Sequence, residues 1–391
     1  MRILMLDNEF PPLGGGMGTT HMDLMRYVAP LPDVEIDVIT SALGHKAQFE
    51  QFSERIRVYK VPVWNRNIHH SSNRELIFYT IQAFFLGLYL RFSRKYDFCF
   101  AWSGVPAGGV ALSLFFLTKL PYMVWVTGPD IPGFEQRYTR LYPVLTLFLR
   151  QIWKYANPLI AKCREEVELI HKTAPTQPVT VIPNGVDIDQ FRPGQPRNDE
   201  NLLKILCVAR LIERKSQNQL IQAVKRLTDD GIEVIATLVG TGDAMTSYQQ
   251  LAEELGISKQ IKFVGYVSRE DLPSYYATAD VFVLPSFYEG LAVAALAAMS
   301  AGLPLVLTRT GGTDDLVDEG INGYTYEWGD IDKLTSILRH LASNRPLIQK
   351  MGKVSRSRVE KFSWPVISMQ YLSLFKQISN NPHARVGHNE G

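Results

Sequence analysis

The sequence predicts an α/β protein made of two doubly wound domains. Short apolar runs alternate with longer helix-like runs almost from one end of the 391 residues to the other, and this alternation is typical of parallel sheets wrapped by helices. Most of the short runs are apolar throughout, as strands covered on both faces must be. The chain is too long for one ordinary core and suits two domains of this kind.

The strand candidates fall into two series, one in each half of the chain. In the first half the series comprises Arg2–Asp7, Glu35–Thr40, Ile56–Val61, Phe98–Trp102, Tyr122–Thr127 and Leu159–Lys162. In the second half it comprises Lys204–Ala209, Glu233–Val239, Ile261–Val264, Val281–Leu284 and Pro304–Thr308.

The domain boundary is predicted where the alternation restarts. It does so after Pro183-Asn184-Gly185, and a polar stretch rich in Pro, Asn and Asp follows at residues 192–201, which is typical of a hinge. The expected organisation is a first domain at 1–185, a second domain at 186–362, a helix at 363–380 that crosses back onto the first domain, and a disordered tail at 381–391.

Composition excludes some classes of function. Lys and Arg number 41 and Asp and Glu 39, for a net charge of +2, which gives no support for a nucleic-acid partner. Three cysteines, Cys99, Cys163 and Cys207, lie in or beside apolar runs, so we interpret them as buried, reduced thiols of a cytoplasmic protein. The first residues, MRILMLDNEF, predict a strand and not a signal peptide, because acidic residues interrupt the apolar run.

One uncharged segment, Leu76–Leu90, bears on a membrane interaction. It is short for a helix that spans a bilayer, and we prefer a buried helix. The alternative is a helix at the inner face of a membrane, with peripheral contact through Leu76–Lys95 and cations beside the apolar residues. The aromatic and basic stretch at residues 137–154 would support that alternative if both segments faced one side.

Two cations follow a strand candidate in the second half. Arg210 and Lys215 come directly after Lys204–Ala209, and ligands of doubly wound sheets bind beyond the carboxyl ends of strands. One bidentate and one compact cation at that place can neutralise a diphosphate as it leaves. The alternative is a solvated loop, because Glu213 and Arg214 lie between them.

A carboxylate, Glu289, follows another strand candidate and precedes a helix expected at Leu291–Ser300. An ionised carboxylate suits the hydroxyl groups of a sugar, and the backbone N–H groups of Gly290, Leu291 and Ala292 could bind an anion. Together with the two cations, these groups describe a pocket for a phosphorylated, hydroxyl-rich ligand, of which a nucleotide-sugar is the simplest. The alternative is that Glu289 only stabilises the helix N terminus.

Glycines follow the first strand candidate, in the stretch PPLGGGMG at residues 11–18. Glycine N–H groups can hold phosphate oxygens, so Gly15, Gly16 and Met17 are candidate ligand contacts before a helix expected to begin at residues 19–20. The alternative is a tight turn without a ligand. The stretch is neither the Walker pattern, which needs a Lys-Ser/Thr pair, nor the dinucleotide fingerprint, which needs an acidic partner after the second strand.

Three further positions in the second half are candidates for ligand contact. Gly240 opens Gly-Thr-Gly after a strand, which is half of a dinucleotide fingerprint and has a turn as its simpler interpretation. Tyr266 and Val267 follow the next strand, and their backbone is a candidate for contact with a nucleotide base.

No metal site is predicted. Two carboxylate pairs that look like metal ligands lie in turn-rich contexts and are interpreted as turn and capping residues: Asp187 with Asp189, and Asp330 with Asp332. His69 and His70 lack nearby cysteines or spaced carboxylates. The sequence also lacks the Gly-x-Ser-x-Gly elbow of a serine hydrolase.

An ordered set of motifs extends over most of the chain and is densest in its second half. It comprises PPLGGGMG at 11–18, VIPNGVD at 181–187, FRP at 191–193, VARL at 208–211, LVGTG at 238–242, FVGY at 263–266, PS at 285–286, GG at 311–312 and NG at 322–323. This set resembles glycosyltransferase family 4. The resemblance implies the GT-B fold, in which two Rossmann-like doubly wound domains, the acceptor side first and the nucleotide-sugar side second, face each other across a cleft.

The resemblance also implies a reaction and roles for residues. The reaction would be a metal-independent, retaining transfer of a sugar from a nucleotide-diphosphate sugar, with UDP or GDP as the expected carrier and no further cofactor. Arg210 and Lys215 would stabilise the departing diphosphate, and Glu289 would hold hydroxyls of the donor sugar. Asp130, in a loop that resembles a family substrate loop, is a candidate contact on the acceptor or sugar side. The acceptor would be a glycan, a glycolipid or a small molecule, as in polysaccharide synthesis.

One departure from the family pattern concerns Ala297. The family signature has two glutamates separated by seven residues, and Glu289 fills the first position, with Ala297 about two turns further along a helix. In relatives the second glutamate holds the ribose. Losing such a charged hydrogen bond costs about 1.5–3 kcal/mol, which is roughly ten- to a hundredfold in affinity. The alternative function is therefore a non-catalytic glycosyltransferase-like subunit with weakened nucleotide binding; epimerases and phosphorylases of the same fold account for fewer of the motifs.

Overall fold

The chain forms two compact units. The N-terminal unit joins Met1–Pro183 to the C-terminal segment that begins at Trp364, and the C-terminal unit is Asn184–Ser363. The predicted tail at 381–391 lies, apart from Asn381, outside the described residues. The structure, a computed structural model, describes residues 1–13, 15–65, 71–134, 142–195 and 201–381.

The N-terminal unit is built on an eight-stranded sheet. Its strands are β1 (Arg2–Leu6), β2 (Glu35–Leu43), β3 (Gln48–Ser53), β4 (Ile56–Asn65), β5 (Phe98–Ala101), β6 (Tyr122–Trp125), β7 (Leu159–Ala161) and β8 (Val179–Val181). They lie in the order β3-β4-β2-β1-β5-β6-β7-β8. The pair β3–β4 is antiparallel and the other neighbours are parallel.

Helices pack on both faces of this sheet. They are α1 (Gly16–Val28), α2 (Asn73–Ser93), α3 (Gly109–Thr118), α4 (Tyr142–Tyr155), α5 (Arg164–Thr173) and, from the C-terminal segment, α13 (Trp364–Asn380). Ile3 and Met5 join the core that includes residues of α1 and α13. Leu4, on the opposite face of the same strand, lies against Gly87 of α2, so alternate residues of β1 enter different cores.

The C-terminal helix α13 completes the core of the N-terminal unit. Trp364 stacks on Tyr27 with ring centroids 6.0 Å apart, and Phe375 contacts Phe98 and Phe100 at 5.5 and 5.8 Å. Phe375 is fully buried, and burial of such a side chain stabilises the fold by about 1.5–3 kcal/mol. The helix is therefore part of this unit although it lies far away in sequence.

Helix α2 is buried on one side only. Tyr79, Ala83, Gly87 and Leu90 face the sheet at a spacing close to 3.6 residues. The opposite side exposes a stripe of large apolar side chains, Ile77, Ile81, Phe85, Tyr89 and Phe92. The preferred interpretation from sequence, a buried helix, is therefore wrong for this side. In the described part of the chain, α2 is the helix whose length and apolar composition would allow it to cross a membrane.

The C-terminal unit contains a six-stranded sheet in which all neighbours are parallel. Its strands are β9 (Leu203–Val208), β10 (Val234–Val239), β11 (Ile261–Gly265), β12 (Val281–Leu284), β13 (Leu305–Thr308) and β14 (Gly323–Tyr326). The order is β11-β10-β9-β12-β13-β14. The order reverses between β9 and β12, and ligands of such sheets bind beyond the carboxyl ends of the two strands at that point.

Seven helices accompany this sheet among the described residues. They are α6 (Gln217–Asp229), α7 (Met245–Glu254), α8 (Leu272–Ala277), α9 (Val293–Ser300), α10 (Thr313–Leu316), α11 (Ile331–Ala342) and α12 (Arg345–Arg358). In α6 the residues Leu220, Ile221, Val224 and Leu227 are fully buried, which is the apolar stripe of an amphipathic helix. In α11 the residues Leu334, Leu338 and Leu341 form the same kind of stripe.

The predicted fold class of two doubly wound domains is confirmed. All eleven strand candidates are strands, with ends shifted by up to four residues. Three further strands, β3, β8 and β14, are not predicted from the sequence. Strand β3 (QFEQFS) is a largely exposed edge strand, β8 has three residues, and β14 (GYTY) alternates polar groups with aromatic rings, so none of them is an apolar run.

Gly240, directly after β10, holds two loops of the C-terminal unit close together. Its φ is +133°, its N–H donates to the carbonyl of Gly265 at 2.8 Å, and a Cβ at this position would overlap the carbonyl of Ala209. The turn interpretation is sufficient to explain this glycine, because both the backbone conformation and the space exclude a side chain.

We predict that Gly240→Ala lowers the free energy of unfolding by about 2–4 kcal/mol, because the methyl group would force the loops after β9 and β10 apart. The control is Gly231→Ala, at a φ of +76° with open space around the new methyl group, which should lose only about 1–2 kcal/mol. Urea unfolding followed by circular dichroism measures both. Equal losses would contradict the steric explanation.

Candidate functional site

The loops after β9 and β12 are joined by hydrogen bonds at the point where the strand order reverses. The N–H of Phe287 donates to the carbonyl of Arg214 at 2.8 Å. In return, Nη1 of Arg214 donates to the carbonyl of Tyr288 at 2.8 Å. Because β9 and β12 are neighbours, residues 74 positions apart meet at one edge of the sheet. In the sequence, Arg214 enters only the alternative of a solvated loop, and its hydrogen bonds to the loop after β12 are not predicted.

An ion pair between Lys215 and Glu289 closes the same junction. The side chains are 12% and 21% exposed, so both are shielded from bulk water while still reachable by a ligand. Burial by itself raises the pKa of Glu289, but the positive charges of Lys215 and Arg214 outweigh burial and hold that pKa below its ordinary value. The carboxylate is therefore ionised at neutral pH, and the structure brings together two of the predicted site residues.

Arg210 lies at the start of the same loop with an exposed side chain. Its carbonyl accepts a hydrogen bond from Nε2 of the buried Gln217 at 3.0 Å. The next residue, Leu211, donates from its N–H to the carbonyl of Thr241 at 2.9 Å. The peptide group between Arg210 and Leu211 is thus fixed through both its carbonyl and its N–H, and the guanidinium remains at the surface of the loop.

A third loop, after β14, adds an aromatic residue that sequence analysis missed. Nε1 of Trp328 donates to Oγ of Ser216 at 3.0 Å, and its ring meets Phe287 edge to face at 4.6 Å. Trp328 is 49% exposed, so it presents an aromatic surface beside the Lys215 loop. The signal in the sequence was a tryptophan after a strand, but that strand, β14, was not recognised.

Hydroxyl groups line a small pocket beside Glu289. Gly312 packs directly on the backbone of Gly290, where a side chain would clash, and this contact brings the loop after β13 next to the loop after β12. The polar side chains that line the pocket are Ser286, Glu289, Thr308, Thr310 and Thr313. Thr308 donates its hydroxyl to the carbonyl of Ser286, and Thr313 donates its hydroxyl to the carbonyl of Thr308, so these groups hold together the loops beside Glu289.

Helix α9 begins later than expected from sequence. Its first residue is Val293 and its cap is Ala292, so the start predicted at Leu291 is two residues early. Gly290, Leu291 and Ala292 form the turn before the helix, where the carbonyl of Leu291 accepts from the side-chain amide of Asn184 at 2.7 Å. Anion binding by the three N–H groups stays a prediction.

Ala297 lies inside the core of the C-terminal unit and is 3% exposed. Glu289 precedes the first residue of α9 by four positions, so the two signature positions do not lie two turns apart on one helix, and that part of the prediction is wrong. The carboxylate projects from a loop, whereas Ala297 belongs to the helix.

The predicted glycine contacts lie at the start of α1 in the N-terminal unit. The helix begins at Gly16, earlier than the predicted residues 19–20, and Gly15 is its cap. A Cβ on Gly15 or Gly16 would meet open space, whereas one on Gly18 would overlap the carbonyl of Glu9. Packing therefore requires Gly18 and leaves the other two open to a ligand, while the side chain of Met17 packs against the core. The ligand contacts of Gly15, Gly16 and Met17 stay predictions.

Asp130 has structural partners for its carboxylate. It accepts from the N–H of Gly104 at 2.8 Å and from the N–H of Thr127 at 3.1 Å, and also from the hydroxyl of Thr127. Burial raises the pKa of Asp130 even though these hydrogen bonds oppose the rise. The carboxylate joins the turn at Gly128–Asp130 to the loop after β5. Its contact with an acceptor or a sugar stays a prediction.

The remaining candidates lie beside the loops of the site. Tyr266 and Val267 follow β11, and Tyr266 is 71% exposed. Their contact with a base, and that of Gly240 with a ligand, stay predictions.

The turn and capping interpretation of two aspartates is confirmed. Asp187 accepts from the N–H groups of Asp189 and Gln190, both at 3.0 Å, and Asp330 caps α11 through the N–H of Lys333 at 2.9 Å.

The described residues provide neither a cluster of metal ligands nor an accessible thiol. There, no group of three His, Cys, Asp or Glu side chains is close enough to hold a metal ion, while His69 and His70 lie outside them. Cys99, Cys163 and Cys207 are buried and form no disulfide with one another, and burial raises the pKa of Cys207 to about 12, which keeps that thiol protonated and unreactive.

Fold and site together define a class of protein. Two Rossmann-like units, the second with a cation–carboxylate pair where its strand order reverses, are the features of GT-B proteins. Two family models match consecutive parts of the chain, Glycosyltransferase Family 4 on residues 14–190 and Glycosyl transferases group 1 on residues 188–358. The chain belongs to this glycosyltransferase family, and the resemblance inferred from the motifs is confirmed.

Three curated relatives are between 24% and 30% identical to the chain over the aligned residues. D-inositol 3-phosphate glycosyltransferase of Corynebacterium jeikeium is 30% identical over 60% of this chain and 60% of its own length. GDP-mannose-dependent alpha-(1-6)-phosphatidylinositol monomannoside mannosyltransferase of Mycolicibacterium smegmatis is 28% identical over 49% and 54%. UDP-Gal:alpha-D-GlcNAc-diphosphoundecaprenol alpha-1,3-galactosyltransferase of Escherichia coli is 24% identical over 88% and 89%. The chain thus spans little more than half the length of the first two relatives.

Solved structures share the fold over nearly the whole chain. Sucrose-phosphate synthase from Thermosynechococcus elongatus superposes with a TM-score of 0.85 at 19% identity, over 97% of this chain and 99% of that one. Anabaena HepE in complex with UDP and glucose superposes with a TM-score of 0.76 at 19% identity, over 96% and 99%. At such identities the likeness establishes the fold.

We predict that the Lys215–Glu289 pair makes stability depend on pH. Because the folded-state pKa of Glu289 lies below the ordinary 4.5, its stabilisation is present well above pH 4.5 and is lost as pH falls through the lowered pKa. The difference in unfolding free energy between wild type and Glu289→Gln should therefore shrink on acidification. Urea unfolding from about pH 3 to about pH 6 measures it.

The matched control for this pH series is Glu270→Gln, which removes an exposed carboxylate of the same unit. Its difference from wild type should stay nearly constant over the series. A Glu289→Gln difference that grows on acidification would show that the ion pair does not lower the pKa of Glu289.

Proposed function

We propose that the protein is a glycosyltransferase that moves a sugar from a nucleotide-diphosphate sugar to an acceptor hydroxyl. The observation that carries the proposal is the Lys215–Glu289 pair, fixed by Arg214 at the point where the strand order reverses. A cation for phosphate and a carboxylate for sugar hydroxyls lie side by side there, in the C-terminal unit of a chain that belongs to a glycosyltransferase family.

The diphosphate of the donor competes with Glu289 for Lys215. Its two negative charges attract the ammonium more strongly than one carboxylate does, and the exposed Arg210 on the same loop adds a bidentate donor. Glu289, partly released, accepts hydrogen bonds from hydroxyls of the donor sugar. The N–H groups of Gly290, Leu291 and Ala292 are further donors for phosphate oxygens.

Transfer breaks the bond between the anomeric carbon and the phosphate oxygen and forms a bond between that carbon and the acceptor oxygen. The acceptor proton passes to the departing diphosphate, and the nucleoside diphosphate leaves. Lys215 and Arg210 stabilise the negative charge that develops on the leaving group, as prearranged donors do best. We propose retention of the anomeric configuration, supported by family membership, and independence of metal ions, because the two cations supply the charge that a metal would.

We propose UDP or GDP as the carrier nucleotide. HepE, which shares the fold, is seen with UDP and glucose, and two relatives carry GDP-mannose and UDP-Gal in their names. Tyr266 and Val267 are the proposed contacts for the base, and Trp328 offers an exposed ring beside the phosphate-binding loop. No cofactor beyond the donor is proposed.

We propose a glycan or glycolipid acceptor and peripheral contact with a membrane, on its cytoplasmic side. Two relatives are named for lipid acceptors, a phosphatidylinositol monomannoside and a diphosphoundecaprenol derivative. The exposed apolar stripe of α2 lies within the predicted contact region Leu76–Lys95. Apolar side chains in one stripe of a surface helix suit the boundary between headgroups and acyl chains.

A second candidate function is a non-catalytic subunit with weakened nucleotide binding. Ala297 favours it, because alanine cannot accept hydrogen bonds from ribose hydroxyls at the second signature position. The ionised Glu289 and its ion pair with Lys215 favour the enzyme. These are the two side chains proposed to contact the sugar and the diphosphate of the donor.

We predict that one nucleoside diphosphate stabilises the protein against heat. At a concentration one hundred times its dissociation constant, it should add about 2.7 kcal/mol to the unfolding free energy. The thermal midpoint is measured with UDP, GDP and ADP, and then with their glucose and mannose conjugates. The absence of a shift with every nucleotide would favour the non-catalytic subunit.

We predict that Lys215→Ala lowers the turnover number by about 10²–10³ while the protein still folds, because the leaving diphosphate loses its main cation. Release of nucleoside diphosphate from the stabilising donor measures turnover, and circular dichroism checks folding. The matched control is Lys225→Ala, which removes a cation on α6 that pairs with Asp229. Wild-type turnover in Lys215→Ala would remove this lysine from the mechanism.

A further inference from the structure

A cavity of about 720 Å³ opens in the N-terminal unit. Its walls come from the C-terminal ends of α3 and α4 and from the loop between α5 and β8. The lining residues Tyr122, Pro158 and Pro178 stand at or just before the first residues of β6, β7 and β8. The cavity therefore lies at the amino edge of the sheet, whereas Gly15–Met17 and Asp130 lie at the carboxyl edge, where ligands of doubly wound sheets bind.

The charged side chains of this cavity are all positive. Lys119, Arg150 and Lys154 line it, and no acidic residue does so among the described residues. Nε of Arg150 donates to the carbonyl of Thr173 at 2.9 Å, which holds the guanidinium against the wall. The ammonium groups of Lys119 and Lys154 lie over the rings of Phe115 and Tyr155, at 5.8 and 5.6 Å. Three cations without a carboxylate among them suit an anionic ligand.

Lys119 adopts a backbone conformation that favours glycine. It ends α3 with a φ of +58°, and a non-glycine residue in this region costs about 1–2 kcal/mol. A cation at this place also complements the dipole at the C terminus of the helix. A test of its role therefore needs a measure of folding beside the measure of binding.

Exposed apolar side chains lie on α3 and α4, the two helices that contribute walls to the cavity. Phe116 and Leu117, which precede Lys119 closely, are 50% and 62% exposed, and Leu147 and Phe148 of α4 are both 63% exposed. Helices α2, α3 and α4 pack side by side, so the stripe of α2, ending at Phe92, belongs to the same layer. We call Phe116, Leu117, Leu147 and Phe148 the apolar collar.

We propose that the cavity binds the phosphate headgroup of an anionic phospholipid while the apolar collar enters the bilayer. This proposal rests on the membrane contact in the proposed function and gives that contact a lipid specificity. A free anion would need no exposed phenylalanines and leucines on the helices beside the cavity, and an uncharged apolar partner would need no cations. The surface of an anionic bilayer offers negatively charged headgroups to the cations and, directly beneath them, acyl chains to the apolar collar.

The experiment is vesicle flotation with the full chain. The vesicles are phosphatidylcholine alone, or phosphatidylcholine with about 30 mol% phosphatidylglycerol. The headgroup variant is Lys119→Gln with Lys154→Gln, and the collar variant is Phe116→Ser with Leu117→Ser. The matched control is Lys46→Gln with Lys376→Gln, which removes two exposed cations of the same unit that do not line the cavity. Circular dichroism and thermal unfolding verify that each variant is folded.

The wild type and the control should bind the anionic vesicles and bind phosphatidylcholine weakly. The headgroup variant should partition roughly 10- to 30-fold less onto anionic vesicles. Each lysine held near such a surface strengthens binding severalfold, and this variant removes two of them. The collar variant should lose binding to both compositions. Hydrolysis of the soluble donor should be unchanged in all variants, since none of them alters the candidate donor site.

Equal loss in the headgroup variant and the control would overturn the proposal, because total charge would then explain binding. Anionic preference that survives in the headgroup variant would overturn the cavity and leave membrane contact intact. If inorganic phosphate stabilises the protein in thermal unfolding and the collar variant still binds vesicles normally, the cavity is an ion site and not a lipid site. A collar variant that turns a dimer into a monomer in light scattering would assign this face to a second copy of the chain.

Discussion

The candidate site depends on one junction, the ion pair between Lys215 and Glu289 together with the backbone bonds of Arg214 beside it. The sheet order places β9 next to β12, so the two loops leave the sheet side by side. Partial burial makes each charge expensive by itself, and pairing offsets that penalty. A ligand with a stronger negative charge than one carboxylate can enter this pair without creating an unpaired buried charge.

Glycines and a tryptophan hold the surrounding loops at the distance that this junction requires. Gly240 allows the loop after β10 to approach Ala209, and Gly312 allows the loop after β13 to approach Gly290. Trp328 fastens the loop after β14 to Ser216. Five loops of one sheet edge, those after β9, β10, β12, β13 and β14, are thereby fixed by contacts that tolerate little change in side-chain volume. This packing holds the loops of the site in place, and Arg210 and Trp328 present exposed side chains to a ligand beside the partly exposed Lys215–Glu289 pair.

The two edges of the N-terminal sheet carry different kinds of side chain. The carboxyl edge carries the open glycines at the start of α1, whereas the amino edge carries the basic cavity and the apolar collar. An ion cluster fixes the orientation of α2 between them: the fully buried Asp37 accepts from Arg94 at 2.8 and 2.9 Å and from the hydroxyl of Tyr96 at 2.5 Å. Because this cluster ties the end of α2 to β2, the exposed stripe of the helix has a defined direction.

The two-domain α/β class, eleven strands and the loops that carry Lys215 and Glu289 could all be predicted from the sequence. Apolar runs indicate buried strands, and the polar residues after them indicate where those strands end. The sequence did not reveal that Arg214 bonds across to Tyr288, that Asp130 is occupied by backbone partners, or that one side of α2 is exposed. It also missed Trp328, whose partner Ser216 is 112 residues away. These contacts depend on the order of strands in the sheets, because strand order selects which distant loops become neighbours and local periodicity does not encode it.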